Sequence, residues 1–356
     1  MSFDKRQTNI AKGVAVLLLL WHHVFSNSEK VYSSITPWLF YGDAPLVCFI
    51  SLFCKVCVAI FCILTGYGLL RSFSSYEEKN SVNGKLPLLK QLGFVKNHFL
   101  NLMSKYWFVY IVFGLLGIAV GASRFGVYEG SAVNAVIDFF GLAALFSTPT
   151  INVTWWFMWM IIVFYIIFPI LYKLFSYSAE LVVALSFLLL ILPPLPIVSE
   201  LQKYQACFVL GMYISKSNGF ERLSNKVDSL PKGIMVAGIS VLAFAYMRND
   251  MYLGYKFDAI FGFTLILLSF LVLSRIPVLN KVLEELGRHS AVMFMSHTFI
   301  YLYYFRDFIY WFKYPVLIYV VLALVSYGAA KLVDFVIKLI RYDKLFKFIT
   351  SEKKKA

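Results

Sequence analysis

Residues 11–25, AKGVAVLLLLWHHVF, set a lysine and two adjacent histidines at the ends of an aliphatic run. Together they offer a positive charge and two imidazoles, whose ordinary pKa near 6.5 suits proton exchange around neutrality. In a helix, the eleven residues from Lys12 to His23 turn the chain by about 1100°, roughly 20° past three full turns. Both side chains then share one face, about 16 Å apart along the axis. His22 falls about 80° from Lys12, on a neighbouring face. A charge at the centre of a bilayer costs about 2.5–3.5 kcal/mol on insertion scales, so ionisable groups inside apolar helices mark a cavity or a site. Alternatively, Lys12 snorkels to the interface and the histidines bond headgroups or water. On this helix alone the two alternatives stand side by side.

The elements that must carry these residues are read from composition. Of 356 residues, 60% are hydrophobic and only 15% charged, against about 25% charged in an ordinary soluble domain. The surplus comes in blocks of about 18–25 residues, long enough to cross a bilayer as helices. Blocks at 9–26, 44–71, 99–121, 155–175, 180–198, 201–216, 233–248, 257–274, 289–305 and 315–337 predict an all-α, polytopic integral membrane protein with about ten transmembrane helices. Placing the N-terminus, the even-numbered connections and the C-terminal tail inside puts 24 of the 33 Lys and Arg there. Seven fall outside (Lys30, Arg124, Lys203, Arg248, Lys256, Arg306, Lys313), and Lys55 and Lys331 lie within helices. This bias predicts an N-in, C-in protein. The chain reads as one transmembrane domain over 1–345, with a polar inner loop at about 72–98, followed by a basic cytoplasmic tail over 346–356. The 132–147 stretch is apolar but short, and reads as an outer-face interfacial or re-entrant piece.

Several function classes fall away. The net charge of +14 sits in alternate loops and makes no basic-aromatic groove, so nucleic acid is not an expected partner. Cys54-Lys-Val-Cys57 lacks the second pair that zinc would require. Small cysteines packed between helices are the better reading, and no metal is expected. A cleavable signal peptide is not expected, because the first apolar run ends in Trp-His-His. No Gly-x-Ser-x-Gly elbow, Walker loop or His-Glu-x-x-His is present.

The stretch from Lys12 to His23 resembles the first-helix signature of membrane acyltransferase family three: a basic residue, ten residues, then a histidine. Lys12 stands where the family usually has arginine, which keeps the charge and loses the planar fork. Phe61-Cys-Ile-Leu-Thr65-Gly66-Tyr67 is similar to the family's Phe-x-x-x-Ser-Gly-aromatic segment, with Thr65 in place of serine. Lys96-Asn-His98 with Ser104-Lys105-Tyr106-Trp107 resembles the basic approach to the third helix. Trp155-Trp156-Phe157 leading to Phe168-Pro169 resembles the Trp-Phe to Pro helix. Leu286-Gly287-Arg288-His289-Ser290, then Ser296-His297-Thr298, resembles the late Gly-x-x-Ser to His helix. The segments occur in family order over about residues 5–340.

The resemblance implies a multi-helix enzyme of the plasma membrane, here the bacterial cytoplasmic membrane. It would take an acyl group, usually acetyl, from cytoplasmic acyl-CoA to a hydroxyl of a cell-surface or capsular polysaccharide or its lipid-linked precursor. A sugar hydroxyl needs a base during attack on the thioester, and His23 is the expected one. His22 would orient it, assist in substrate binding or face lipid. Acyl-CoA (acetyl-CoA above all) brings phosphates, for which Lys12, Arg71, Lys96 and Lys105 are the candidates. For each of them positive-inside topology is the plain alternative, and only Lys12, on the His23 face, stands out. His297 would polarise the acyl carbonyl, bond the acceptor, or pair with Ser290 or Ser296. Trp155 and Trp156 either stack on sugar or form an aromatic belt. Lys55 is interfacial or faces a cavity and an acid such as Asp334. His98 and His289 are expected to be solvated. The rival class is a secondary transporter or glycan flippase using the same intramembrane charges, and a glycan polymerase is a third.

Overall fold

The computed structural model describes residues 2–26, 33–227, 229–248, 254–342 and 344. Lys30 and the basic tail over 346–356 lie outside the described residues. In chain order the helices are α1 Lys5–Phe25, α2 Leu46–Cys54, α3 Cys57–Asn80, α4 Leu88–Ala119, α5 Ala132–Phe139, α6 Trp156–Tyr177, α7 Ala179–Leu188 and α8 Ser199–Ser217. They continue with α9 Gly219–Lys226, α10 Leu230–Gly233, α11 Ile239–Arg248, α12 Asp258–Leu271, α13 Pro277–Thr298, α14 Arg306–Tyr310 and α15 Pro315–Leu339. A π-helical segment, Phe299–Tyr304, prolongs α13. The two short strands, β1 Phe40–Tyr41 and β2 Ala44–Pro45, form an antiparallel hairpin turned at Gly42.

Among the described residues, seven helical segments are long and apolar enough to cross a membrane: Lys5–Phe25, Leu46–Asn80, Leu88–Ala119, Val153–Tyr177, Leu230–Met247, Tyr255–Arg275 and Pro315–Leu339. This is a multi-pass, all-α membrane protein. The three remaining apolar blocks are helical, in whole or in part, without qualifying alone. In 180–198, α7 stops at Leu188, and its ten residues reach about 15 Å of a core about 30 Å thick. The 201–216 block lies in α8, follows Glu200 and contains Lys203 and Lys216, and 289–305 completes and continues α13, whose preceding residues include Lys281, Glu284, Glu285 and Arg288. The polar stretch over 72–98 is mostly helix, because α3 runs on to Asn80 and α4 begins at Leu88. Lipid contact explains the exposed apolar surface: only 11% of the Leu230–Met247 window is buried, and an apolar face of that size is rarely left to water.

The chain packs as two compact units. The first comprises Met1–Ser72, Leu171–Ser290 and Tyr310–Ala323; the second Phe73–Ile170, Ala291–Ile309 and Leu324–Ala356. In the first, two reciprocal glycine contacts set helix spacing. A methyl on Gly13 of α1 would overlap the Leu283 carbonyl, and one on Gly287 of α13 would overlap the Asn9 carbonyl. Gly66 of α3 and Gly211 of α8 meet the Phe208 and Ile63 carbonyls in the same way. Membrane helices lack a hydrophobic force between them and gain instead from such close backbone approach. In the second unit, α4 holds α5 by its backbone. Tyr106 Oη donates to the Asp138 carbonyl at 2.6 Å and Trp107 Nε1 to the Phe139 carbonyl at 2.8 Å.

Candidate active site

In the first unit, Asp4 starts α1 by accepting from the Gln7 amide at 3.0 Å, an N-cap that satisfies one of the helix's orphan donors. The helix then runs unbroken to Phe25, so Lys12 and His23 do share a face, and both are half-buried. Bonds from its neighbours fix the rotation of α1. Trp21 Nε1 donates to the Val47 carbonyl at 3.1 Å, and Tyr319 Oη donates to the Leu17 carbonyl at 3.1 Å. His22 Nδ1 lies 2.8 Å from the Ser51 carbonyl. A carbonyl only accepts, so Nδ1 carries the proton and Nε2 is the basic nitrogen of neutral His22. The His22 and His23 ring centroids are 5.1 Å apart.

An apolar recess of about 360 Å³ lies along α1, lined there by Val14, Leu17, Leu18 and Trp21. Those positions centre about 180° from the Lys12–His23 face. The recess is therefore not the pocket that this pair would serve.

Arg71 has structural work in the same unit. It donates to Tyr67 Oη at 2.9 Å and approaches the Glu221 carboxylate at 3.7 Å. Tyr67 Oη and Glu221 Oε1 in turn bond the carbonyl and amide of Phe3, whose ring stacks on Phe220 at 4.0 Å. Thr65 bonds back to the Phe61 carbonyl of its own helix at 2.7 Å. The Thr-Gly-Tyr segment thus packs helices and anchors the N-terminal segment. Lys55 sits at the break between α2 and α3, half-buried, with its carbonyl receiving Val58 N.

The second unit builds a polar cluster around His297. Its base is Asp138, 1% exposed, whose Oδ2 accepts from Tyr128 Oη at 2.6 Å and the Ile151 amide at 2.9 Å. Burial pushes the Asp138 carboxyl above the ordinary aspartate range, against the hydrogen bonds from Tyr128, Ile151 and Thr150 that pull it down. Arg124 adds a bond to the Ile151 carbonyl at 3.3 Å, with its guanidinium 4.2 Å from the Tyr303 ring centroid. Next in the chain, Asn152 caps the turn leading into α6. Its Oδ1 accepts from Thr154 N and Thr154 Oγ1, at 3.0 and 2.8 Å, and its Nδ2 donates to the Met295 carbonyl at 3.2 Å. The Thr154 and Thr298 hydroxyls are 2.9 Å apart, and Thr298 Oγ1 lies 3.3 Å from His297 Nε2. His297 Nδ1 faces the Phe294 and Met293 carbonyls at 2.8 and 3.2 Å. His297 and Thr298 end α13 where the wider π turn begins, and such turns are frequent at functional sites.

These contacts revise several sequence expectations. Ser290 and Ser296 bond back to the Gly287 and Val292 carbonyls of their own helix, and it is the Thr298 hydroxyl that lies beside His297 Nε2. Trp155 is 2% exposed, donates Nε1 to the Met295 carbonyl at 3.0 Å and packs against Tyr106 and Phe299. It is a core residue with no face to offer a sugar, whereas Trp156 is half-buried. Lys105 lies 3.9 Å from Asp334, and Lys96 is exposed. His98 packs on Phe94, with centroids 4.1 Å apart, and His289 contacts Glu285 at 3.3 Å. Neither is simply solvated. The five cysteines are buried thiols outside any disulfide, and no group of three or more His, Cys, Asp or Glu suited to a metal occurs among the described residues.

Asn152, Thr154 and Thr298 were not singled out from sequence as site residues. The available signal was a capping pattern, a polar Asn-x-Thr directly before an apolar helix, which announces a helix start and says nothing of a distant histidine. The sequence model of the acyltransferase domain family, acyltransferase family three, matches residues 7–332. No curated protein and no solved structure matches the chain.

Proposed function

From a chain that belongs to acyltransferase family three, and is therefore a membrane acyltransferase, we propose the following reaction. The enzyme transfers acetyl from cytoplasmic acetyl-CoA to a hydroxyl of a cell-surface or capsular polysaccharide, or of its lipid-linked precursor, in the bacterial cytoplasmic membrane. The chain crosses about ten times with both termini inside, as the positive-inside bias favours. The observation that carries the reading is the uninterrupted α1, which sets Lys12 and His23 on one face of one helix.

In this reaction His23 removes the acceptor hydroxyl's proton as its oxygen attacks the thioester carbonyl, and the tetrahedral intermediate collapses to expel the CoA thiolate. The imidazolium returns the proton to that sulfur, so the enzyme ends unchanged. Lys12 holds a phosphate of the donor, and the rise of about 16 Å between the two suits an extended pantetheine arm. Neighbouring His22, fixed through the Ser51 carbonyl, keeps the end of α1 in register. Lys96 and Lys105 supply further positive charge for the donor, Arg71 doing so with the donors it does not spend on Tyr67 and Glu221. Trp156 contacts the acceptor, and His297 serves as the second imidazole of the reaction.

The test is release of free CoA from acetyl-CoA by the purified protein in nanodiscs, with and without a crude surface-glycan extract. Wild type should release CoA faster with the extract, with label appearing on the glycan, and His23→Ala should lose both. Full turnover by correctly folded His23→Ala would refute His23 as the base. Label appearing on lipid alone would refute the glycan acceptor.

A further inference from the structure

The chain of contacts ending on His297 has a property that packing does not require. Both carbonyls at Nδ1 can only accept, so that nitrogen carries a proton and neutral His297 presents its lone pair at Nε2, toward the Thr298 hydroxyl. The hydroxyl protons can then run in one direction, Thr154 donating to Thr298 and Thr298 to Nε2. Asn152 Oδ1 meanwhile keeps the backbone bond from Thr154. When Nε2 gains a proton the direction reverses: Nε2–H donates to Thr298, Thr298 to Thr154, and Thr154 Oγ1 to Asn152 Oδ1, the bond of 2.8 Å. Only the Thr154 Oγ1–Asn152 Oδ1 contact, which holds no hydrogen in the first direction, has to lengthen there. The Asn152 amide is kept from flipping because Nδ2 is committed to the Met295 carbonyl.

We infer that Thr298, Thr154 and Asn152 are positioning residues for His297, holding it as the Nδ1–H tautomer and allowing it to gain and lose a proton at Nε2 during acyl transfer. The inference rests on the reading of His297 as the second imidazole of the reaction. Asn152, Thr298 and His297 are wholly buried and Thr154 is 4% exposed. In such surroundings a polar group left unsatisfied bears its full desolvation cost, so a histidine that changes protonation state needs partners that serve both states. Two hydroxyls, each donor and acceptor, with an amide oxygen at the end, supply them. A valine at 298 keeps the shape and removes the switch, whereas a serine restores it.

The experiment uses the full chain in nanodiscs and compares Thr298→Val, Thr298→Ser and His297→Gln. CoA release from acetyl-CoA with the glycan extract gives kcat and KM, and ¹⁵N-histidine spectra, assigned by the His297→Gln difference, read the tautomer. Thr298→Val should lower kcat by about 10- to 100-fold with little change in KM for acetyl-CoA, as for a misplaced acid–base group. Thr298→Ser should recover to within about threefold of wild type, a hydroxyl being all that the switch requires. The spectra should show His297 protonated at Nδ1 in wild type. An Nε2–H tautomer, or Thr298→Val with wild-type kcat while His297→Gln is inactive, would overturn the inference and leave the proposed reaction standing. Full activity in His297→Gln would remove the role of His297 itself.

Discussion

At the end of α1, His22 and His23 are half-buried and the helix is fastened through carbonyls on its neighbours, whereas His297 is wholly buried and meets two carbonyls of its own helix and a hydroxyl. The first neighbourhood is set by one helix and its rotation. The second is assembled from residues on α6's leading turn and α13's last turn, far apart in sequence. A half-buried imidazole can adjust to a substrate and to water. A fully buried one must have every bond supplied by the protein in each protonation state. The difference separates a group with room to adjust from a group whose every bond the protein supplies.

The comparison can be broken most decisively at His23. Replacement by alanine should cost about 10²–10⁴ in turnover, the usual contribution of a positioned base, while thermal stability in detergent changes little, since the side chain is only half-buried. In the buried neighbourhood the balance should invert. Asn152→Leu should destabilise the protein by about 1–3 kcal/mol, because the Thr154 amide loses its partner and the Met295 carbonyl and Thr154 hydroxyl each lose one of two, and thermal unfolding would show it. An unchanged midpoint would mean the Asn152 bonds are not in place.

A smaller effect is expected at Lys12. Lys12→Ala should raise KM for acetyl-CoA about tenfold, the scale of one charge-assisted hydrogen bond, with Lys12→Arg at or below the wild-type KM. Equal KM in Lys12→Ala and wild type would leave the lysine a topology residue.

The smallest effect concerns Asp138, at the foot of the buried cluster. Its pKa is raised on folding, so the folded state binds the proton more tightly than the unfolded chain. The penalty is absent below the unfolded value, about 3.9, and complete above the folded one; stability therefore falls as pH rises through that window. Asp138→Asn should flatten this slope, and an unaltered slope in unfolding scans from acid toward neutral pH would assign it to another group.

How far each region was legible in the sequence follows the same division. The membrane class, the α1 helix and the shared face of Lys12 and His23 are matters of composition and a 3.6-residue period, both local. Family membership came from short segments in order. Motif glycines were visible without their reason: Gly66 and Gly287 are small because another helix's carbonyl occupies the place of a side chain. Trp155 was misplaced by a rule that treats tryptophan near helix ends as a surface group, and the local work of exposed Arg71 was not visible. In the structure one fills a core and the other ties Tyr67 to Glu221.

Sequence by itself determined that this chain lies in a membrane as helices, that it is an acyltransferase by family, and that a lysine and a histidine face the same way along α1. Tertiary structure alone decided what His297 meets. The Thr154–Thr298 contact joins positions 144 residues apart and Trp155–Met295 joins positions 140 apart, and no periodicity reaches so far. Helical propensity fixes which neighbours share a face within a few turns. The partner across the gap is chosen by helix packing, where glycine spacing and the satisfaction of buried polar groups leave few arrangements open.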